Sequence, residues 1–216
     1  MSDISVINEK GIRYYLVDGD KFVSVTTPLS LLSLPNIELW KVRVGRTKAE
    51  IIAKKAGNYG NKMHNYFDKV CCGKSFAVEK KYEKDIEAFR QWFDDNVEEV
   101  IATEKVVWSK KYQLAGRYDF LGRLKGHDGI CIVDWKTGRI KPEHFLQLAA
   151  YRVLTSETDK TDRSGITQRL VVGVKEGKVK VIPPNKKKPK TDVNIDTDWE
   201  VYLNVLNIWH WVNKNK

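Results

Sequence analysis

The chain has 216 residues, of which 42% are hydrophobic, and its composition excludes an intrinsically disordered protein while allowing one sizeable core. Its formal net charge of +10 favours a polyanionic partner such as nucleic acid. Three cysteines without a C-x-x-C spacing exclude a four-cysteine iron–sulfur cluster and favour a reduced environment. The sequence shows no apolar run of membrane-spanning length and no signal peptide, so we expect a cytoplasmic protein without membrane contact.

The first predicted elements are a hairpin and a mainly apolar segment. The hairpin covers residues 12–26 and turns at Asp18 and Gly19. The apolar segment runs from Pro28 to Trp40. We expect both to be additions to a core that begins further along the chain.

Two helical regions are predicted next. Thr47 and Glu50 have the capping-box spacing that opens a helix, and Gly57 and Gly60 are expected to interrupt it before it resumes. A longer helix is expected over about 79–102, because apolar residues recur there at helical steps. These residues are Tyr82, Ile86, Phe89, Phe93, Val97 and Val100.

Three strands follow, and the last two are joined by a turn rich in glycine. The strands are predicted at 105–110, 115–124 and 130–136. A hairpin folded symmetrically about residues 126 and 127 places Asp119 opposite Asp134, and a two-residue shift still keeps both on one face. Lys136 shares the face of Asp134 because it lies two residues further along the strand. The opposite face is expected to carry Tyr118, Phe120, Leu124, Cys131, Val133 and Trp135.

Two carboxylates and an ammonium group on one face can hold a divalent metal beside a reacting phosphate. Asp119 and Asp134 offer the hard oxygen ligands that Mg²⁺ and Mn²⁺ prefer, and Lys136 can stabilise charge that develops on the phosphate. The backbone carbonyl of Trp135 is a further candidate ligand. The competing interpretation is a surface ion pair, which contributes about 0–1 kcal/mol and has no catalytic role.

The last third of the chain completes the predicted fold. It is expected to contain a helix at about 142–155, two strands at 168–174 and 178–182, a charged loop at 186–190 and a final helix from Asp198. The order of helix, three strands, helix and strand predicts an α/β fold with a mixed central sheet flanked by helices. Because we find no long linker, residues 1–216 are expected to form a single domain.

As a set, these motifs resemble the PD-(D/E)XK nuclease superfamily, and more narrowly its RecB-, Cas4- and mitochondrial genome maintenance exonuclease-like branch. The resemblance is carried by GRYD, IVDWK and QLAAY, whose central residues are Asp119, Asp134, Lys136, Gln147 and Tyr151. Tyr118 stands where the family pattern has proline, and aspartate replaces the usual glutamate, but both variants are common in this branch. The motif core covers about 57–174.

The resemblance implies additional site residues. His64 stands where this branch often has a metal-binding histidine, which would shift the preference towards Mn²⁺ without excluding Mg²⁺; a lone helical histidine is otherwise more often structural. Glu104 is predicted either to bind metal or to remain a strand-edge charge. Gln147 and Tyr151 share a helical face and are expected to support the site, while other faces of that helix pack on the sheet.

Basic and aromatic side chains are candidate contacts to DNA. Arg117 and Arg123 are expected to share the hairpin face of Asp119, and Lys62 and Arg139 lie near motif residues in sequence. An earlier group that could line a channel for a DNA strand comprises Trp40, Lys41, Arg43 and Arg46. Most of the seven tryptophans are expected in the core, for example Trp92, Trp108 and Trp199.

The implied function is a metal-dependent exonuclease acting on single-stranded DNA or DNA ends in replication, recombination or repair, of the kind found in phages and mobile elements. The alternatives are a structure-specific endonuclease of the same superfamily and a non-catalytic DNA-binding subunit of a recombination complex. The resemblance implies Mg²⁺ or Mn²⁺ as the cofactor. The chain lacks a G-x-x-x-x-G-K-[ST] motif, so we expect no nucleotide cofactor. The sequence leaves the polarity of degradation and the oligomeric state open, and recombination or replication proteins are candidate partners.

Overall fold

The computed structural model describes residues 3–159, 165–184 and 194–214. Within these ranges, eight strands form one mixed sheet that is flanked by helices, which confirms the predicted α/β fold. The basic run predicted as part of a loop at 186–190 lies outside the described residues. None of the described helices is long and apolar enough to cross a bilayer.

The strands and helices follow the predicted order with one additional N-terminal strand. The strands are β1 (Ile4–Glu9), β2 (Ile12–Val17), β3 (Asp20–Ser24), β4 (Val97–Ser109), β5 (Leu114–Leu124), β6 (Ile130–Lys136), β7 (Ile166–Lys175) and β8 (Lys178–Ile182). The helices are α1 (Thr26–Val44), α2 (Arg46–Cys71), α3 (Glu83–Asn96), α4 (Glu143–Asp159) and α5 (Ile195–Lys214). The predicted N-terminal hairpin is confirmed as β2 and β3, and β1 pairs with β2 to extend it.

Helix α2 is continuous, so the predicted interruption at its two glycines is wrong. Gly57 and Gly60 each cost about 1 kcal/mol relative to alanine within a helix. The second half of α2 buries Met63, Tyr66 and Phe67 completely or nearly so. Burial of a large apolar side chain contributes about 1.5–3 kcal/mol, which is enough to hold the helix together across both glycines.

Two helix boundaries also differ from the prediction. Helix α2 begins after Gly45, whose φ is 91°, and no side chain caps it, so the capping box at Thr47 is not formed. Helix α3 ends at Asn96, and Val97 and Val100 belong to β4 instead. The helical spacing of these two valines is outweighed by their β-branched shape and by the pairing of β4 with β5.

Strand β5 has an unpaired stretch that positions the site described below. Strand β4 pairs along one edge of β5 from end to end. The other edge is shared, because β3 pairs in parallel at Leu114 and Ala115 while β6 pairs in antiparallel over Phe120–Gly122. No strand pairing is described on this edge over 116–119, so the sheet opens where β3 and β6 diverge.

The two faces of the sheet bury separate apolar clusters. One cluster contains residues of α1, α4 and α5, and the other contains residues of α2 and α3. Tyr118 was expected to share a face with Phe120, but it packs in the first cluster while Phe120 packs in the second. The alternation of side chains therefore breaks between them, at Asp119, where Glu104 of the neighbouring strand has a φ of 48°.

Helix α5 packs in the core and contacts the chain at the end of β3, next to the unpaired stretch of β5. The hydroxyl of Tyr202 donates a hydrogen bond of 2.9 Å to the carbonyl of Val25, directly after β3. Trp199 stacks on Tyr202 and is buried, which confirms the expectation that it is a core residue. Trp92 and Trp108 are likewise packed against apolar clusters as expected.

Asp85 ties three elements together through its buried carboxylate. It accepts a hydrogen bond from the hydroxyl of Tyr59 in α2 and a 2.6 Å bond from the backbone N–H of Gly177, between β7 and β8. Because Asp85→Ala leaves both donors without this acceptor, we expect the free energy of unfolding to fall by roughly 1–3 kcal/mol. Urea unfolding would measure the loss, with Asp94→Ala, an exposed position on the same helix, as control. Equal stability of the two variants would contradict this role.

Candidate metal and active site

A polar cleft of about 820 Å³ opens beside the unpaired stretch of β5. Its walls come from α2, α4, the central strands and the N-terminal strands. The residues of α2, α4 and the central strands that face the cleft are Asn61, His64, Asn65, Asp68, Glu104, Arg117, Asp119, Asp134, Lys136, Gln147 and Tyr151. The cleft therefore gathers the residues that the sequence motifs singled out, together with several that they did not.

The register of the β5–β6 hairpin agrees with the symmetric fold expected about residues 126 and 127. Phe120 pairs with Val133, and the ladder continues in the same register towards the turn. Asp119 and Asp134 are the next residues along, where the ladder ends. The backbone N–H of Trp135 donates a 2.8 Å hydrogen bond to Oδ2 of Asp119, which fixes that carboxylate against β6. Ligation of metal by the Trp135 carbonyl stays a prediction.

One face of α2 turns towards the acids of β4 and β5. His64 and Asn65 lie three and four residues after Asn61, and Asp68 lies four residues after His64, so these residues lie along one side of the helix. The Nδ1 atom of His64 lies 3.3 Å from Oδ1 of Asp119. The predicted histidine is thus in direct contact with the first aspartate of the motif.

Glu104 lies opposite Asp119 and takes a conformation that is uncommon for a residue with a side chain. Its neighbours Thr103 and Lys105 pair regularly with Phe120 and Tyr118. Glu104 itself has a φ of 48°, in the left-handed region, which costs about 1–3 kcal/mol and persists only where surrounding structure enforces it. One of its oxygens lies 3.8 Å from Nδ1 of His64. The strained backbone brings this carboxylate to the same point as His64 and Asp119.

Asp134 is held by a lysine and a glutamine. Lys136 Nζ lies 2.7 Å from its Oδ1 and 2.6 Å from its Oδ2. Gln147 Nε2 donates to Oδ1 of Asp134 at 3.2 Å and to the hydroxyl of Tyr151 at 3.2 Å. Oδ2 of Asp134 is buried, and the ammonium of Lys136 is the charged group in contact with it. The lysine therefore contacts both oxygens of this carboxylate.

Gly116, the first residue of the GRYD motif, makes room for Tyr151. A Cβ atom at this position would lie 2.5 Å from Cε1 of Tyr151, which is far inside van der Waals contact. The absence of a side chain lets the ring lie against β5 in the unpaired stretch. Tyr151 in turn holds Gln147, so a glycine on one strand sets the position of an amide on a helix.

The charges of the site perturb one another strongly. Burial alone would lower the pKa of His64, but Asp119 and Glu104 outweigh it and raise the pKa to about 10. Burial favours a high pKa for Asp119, yet His64 and Lys136 hold that pKa below its ordinary value. Burial, together with the Asp119 charge, raises the pKa of Asp134 to about 6 against the opposing effect of Lys136. Three acids and their cations thus share one poorly hydrated site.

The donor set fits a divalent metal ion. Ligand atoms of His64, Glu104 and Asp119 lie within 4.8 Å of one another. Two carboxylates and an imidazole suit Mn²⁺ or Mg²⁺, and ligation of the metal would require the neutral form of His64. The bound metal ion would supply the positive charge that offsets the carboxylates of Glu104 and Asp119.

The four basic residues proposed as DNA contacts occupy different surroundings. Arg117 faces the cleft, with its Nε 2.8 Å from Glu104. Arg123 pairs with Glu99, and Lys62 pairs with Glu79; the described residues do not place either of them in the cleft. Arg139 lines a separate groove that adjoins Lys136. The earlier basic and aromatic group at Trp40, Lys41, Arg43 and Arg46 likewise contributes nothing to the described cleft lining.

The N-terminal strands form a wall of the cleft that sequence reasoning did not anticipate. Arg13, Tyr15, Ser24 and Thr26 face it from β2, β3 and the start of α1. Their sequence carries no motif, because they reach the site only through the pairing of β3 with β5. Asp68 was also missed, although its four-residue spacing from His64 was a usable signal.

Comparison with known protein families supports the site chemistry. The family model described as the PD-(D/E)XK nuclease superfamily matches residues 50–206. No curated protein matches the chain. The matched segment contains the helix, strands and helix that bring together His64, Glu104, Asp119, Asp134 and Lys136.

Proposed function

The chain belongs to the PD-(D/E)XK nuclease superfamily, and on this basis we propose that it is a metal-dependent deoxyribonuclease that degrades DNA from its ends. The observation that carries the proposal is the meeting of His64, Glu104 and Asp119 beside the Asp134–Lys136 pair. This arrangement combines a metal-binding donor set with a partly buried cation that a phosphate in the cleft could reach. A surface ion pair would show neither the burial nor the convergence.

His64, Glu104 and Asp119 would hold the cation, and Asp134 could join them once the Lys136 ammonium moves from its carboxylate to the phosphate. When bound there, Mg²⁺ or Mn²⁺ would polarise the scissile phosphate and lower the pKa of an attacking water. The backbone N–H of Trp135 keeps Asp119 oriented towards this point. The Trp135 carbonyl remains a further candidate ligand.

Lys136 supplies the positive charge for the reacting phosphate in this proposal. Its side chain is 21% exposed, so it is reachable from the cleft while still poorly solvated. Transfer of its Nζ contact from Asp134 to a phosphate oxygen would stabilise the charge that develops during hydrolysis. Gln147 would keep Asp134 in place during that exchange, because it bonds the carboxylate independently of the lysine.

Arg117 is suited to a flanking phosphate. Its side chain is about half exposed and lies at the cleft beside Glu104. The net charge of +10 gives the whole surface a preference for a polyanion. Preference for DNA ends rests on the resemblance to exonucleases of the RecB-like branch, and recombination or replication proteins are the proposed partners.

The proposal predicts hydrolysis that requires a divalent metal. We expect 5′- or 3′-labelled single- and double-stranded DNA to be degraded with Mg²⁺ or Mn²⁺ and to remain intact with EDTA. Short labelled products appearing first from one end would support an exonuclease and give its polarity. Cleavage of a covalently closed circle would favour the endonuclease alternative. Binding of DNA without cleavage under every metal condition would contradict the enzyme and favour a non-catalytic subunit.

A further inference from the structure

A second, basic groove of about 430 Å³ adjoins the cleft at Lys136. Five basic side chains and no acidic one are among its described lining residues, in contrast to the carboxylate-rich cleft. The basic residues are Lys136, Arg139, Lys175, Lys178 and Lys180. The groove therefore begins at the proposed catalytic lysine and continues on a surface with a different chemistry.

The pairing of three strands explains how the groove runs. Lys136 of β6 pairs with Gly173 of β7, and Gly173 pairs with Lys180 of β8. Directly paired residues project from the same face of a sheet, so the two lysines stand on one face with a glycine between them. With a strand spacing of about 4.8 Å, their Cα atoms lie roughly 10 Å apart.

Ile140 packs against Gly173 in this row. A Cβ atom at Gly173 would approach Cδ1 of Ile140 to 3.0 Å, so the glycine lets that side chain lie close to the sheet. Ile140 lines the groove together with the basic residues. The row Lys136, Gly173 and Lys180 thus lines a shallow channel beside Ile140, with a cation at each end.

The channel continues along the edge strand of the sheet. Lys178 lies two residues before Lys180, so both project to the same side about 6.6 Å apart along the strand. Lys178, Lys180 and Arg139 are exposed, and within the described residues none of the three has an ion-pair or hydrogen-bond partner. Lys175 forms only an exposed pair with Glu176, at 3.2 Å. These cations are available to a ligand.

We propose that this groove binds the phosphate backbone of the DNA on one side of the scissile bond, guiding it from Lys136 over Gly173 to the β8 edge. The inference rests on the proposed nuclease function, since it treats the groove as a continuation of the same site. Cations repeated along an edge strand match the repeated charge of a nucleic-acid strand, and they read no base sequence. The groove therefore contributes affinity and strand path without sequence specificity.

The test compares two variants that lose the same charge. Lys178→Gln/Lys180→Gln removes two groove cations, and Lys74→Gln/Lys111→Gln removes two exposed lysines that do not line the groove. Binding of a labelled 20-nucleotide single strand is measured in EDTA over a range of salt concentrations. Hydrolysis of bis(p-nitrophenyl) phosphate with Mn²⁺ reports on the metal site alone, because this small diester does not extend along the groove.

We expect the groove variant to bind DNA roughly tenfold to thirtyfold more weakly at 0.1 M salt, with its salt slope reduced by about 1.4, the value for two lost phosphate contacts. Its hydrolysis of the small diester should equal that of the wild type. Equal DNA affinity and slope in the two variants would overturn the proposal, as would parallel loss of small-diester hydrolysis in the groove variant. Absence of DNA hydrolysis by the wild type under every metal condition would refute the nuclease instead, and the binding comparison would still decide the groove.

Discussion

Replacement of Asp134 by asparagine is expected to reduce DNA hydrolysis by about a thousandfold or more. The substitution keeps the shape of the side chain and an oxygen that can accept from Gln147. It removes the negative charge beside the metal-binding cluster formed by His64, Glu104 and Asp119. A correctly held metal contributes several kcal/mol to catalysis, and about 4 kcal/mol corresponds to a thousandfold in rate.

Two further measurements show whether the loss of hydrolysis comes from a weakened cation site. Mn²⁺ affinity, followed by calorimetry in the absence of DNA, should fall in Asp134→Asn if Asp134 contributes to the cation site. Asp128→Asn, an exposed position in the turn of the same hairpin, should retain wild-type activity and affinity. Full hydrolysis by a folded Asp134→Asn protein, as judged by its melting curve, would remove Asp134 from the proposed machinery.

Lys136→Ala is expected to lower kcat by about a hundredfold to a thousandfold. A preorganised cation or donor that acts on developing charge contributes this much in a poorly hydrated site. The loss should appear in kcat more than in DNA affinity, because Lys136 is one of many cations on a strongly basic chain. Single-turnover hydrolysis and anisotropy binding on the same labelled strand separate the two quantities.

The control for Lys136→Ala is Lys74→Ala, which removes an exposed lysine outside the cleft and the groove. Lys136→Arg should recover part of the rate, since it restores the charge but not the compact ammonium group. A fall in affinity with kcat unchanged would indicate a role in binding alone. Unchanged kcat in the alanine variant would exclude Lys136 from the chemical step.

The sequence predicted the central hairpin because its information is local. The glycine-rich turn fixes where the chain reverses, and the two-residue period of a strand then sets which side chains share a face. Asp119, Asp134 and Lys136 could therefore be placed together before any tertiary contact was known. The order of elements, and with it the mixed sheet, followed from the same short-range patterns.

Local patterns failed where long-range burial or pairing decided the outcome. The glycines of α2 lower the local helix propensity, but the burial of Met63 and Phe67 contributes more free energy than the glycines cost. Val97 and Val100 fit the helical period of α3, but the pairing of β4 with β5 places both in a strand. The different faces of Tyr118 and Phe120 likewise depend on a break in alternation that only the neighbouring strand reveals.

The sequence by itself placed an aspartate opposite an Asp-x-Lys pair, and the family resemblance added a histidine on a preceding helix. Only the tertiary structure decided that Glu104 joins His64 and Asp119, and that Lys136, Gly173 and Lys180 form one row. The physical reason is that these residues are far apart in sequence and meet through strand pairing and a strained backbone. Periodicity describes which way a side chain points within its own element, whereas the packing of several elements determines which side chains it meets.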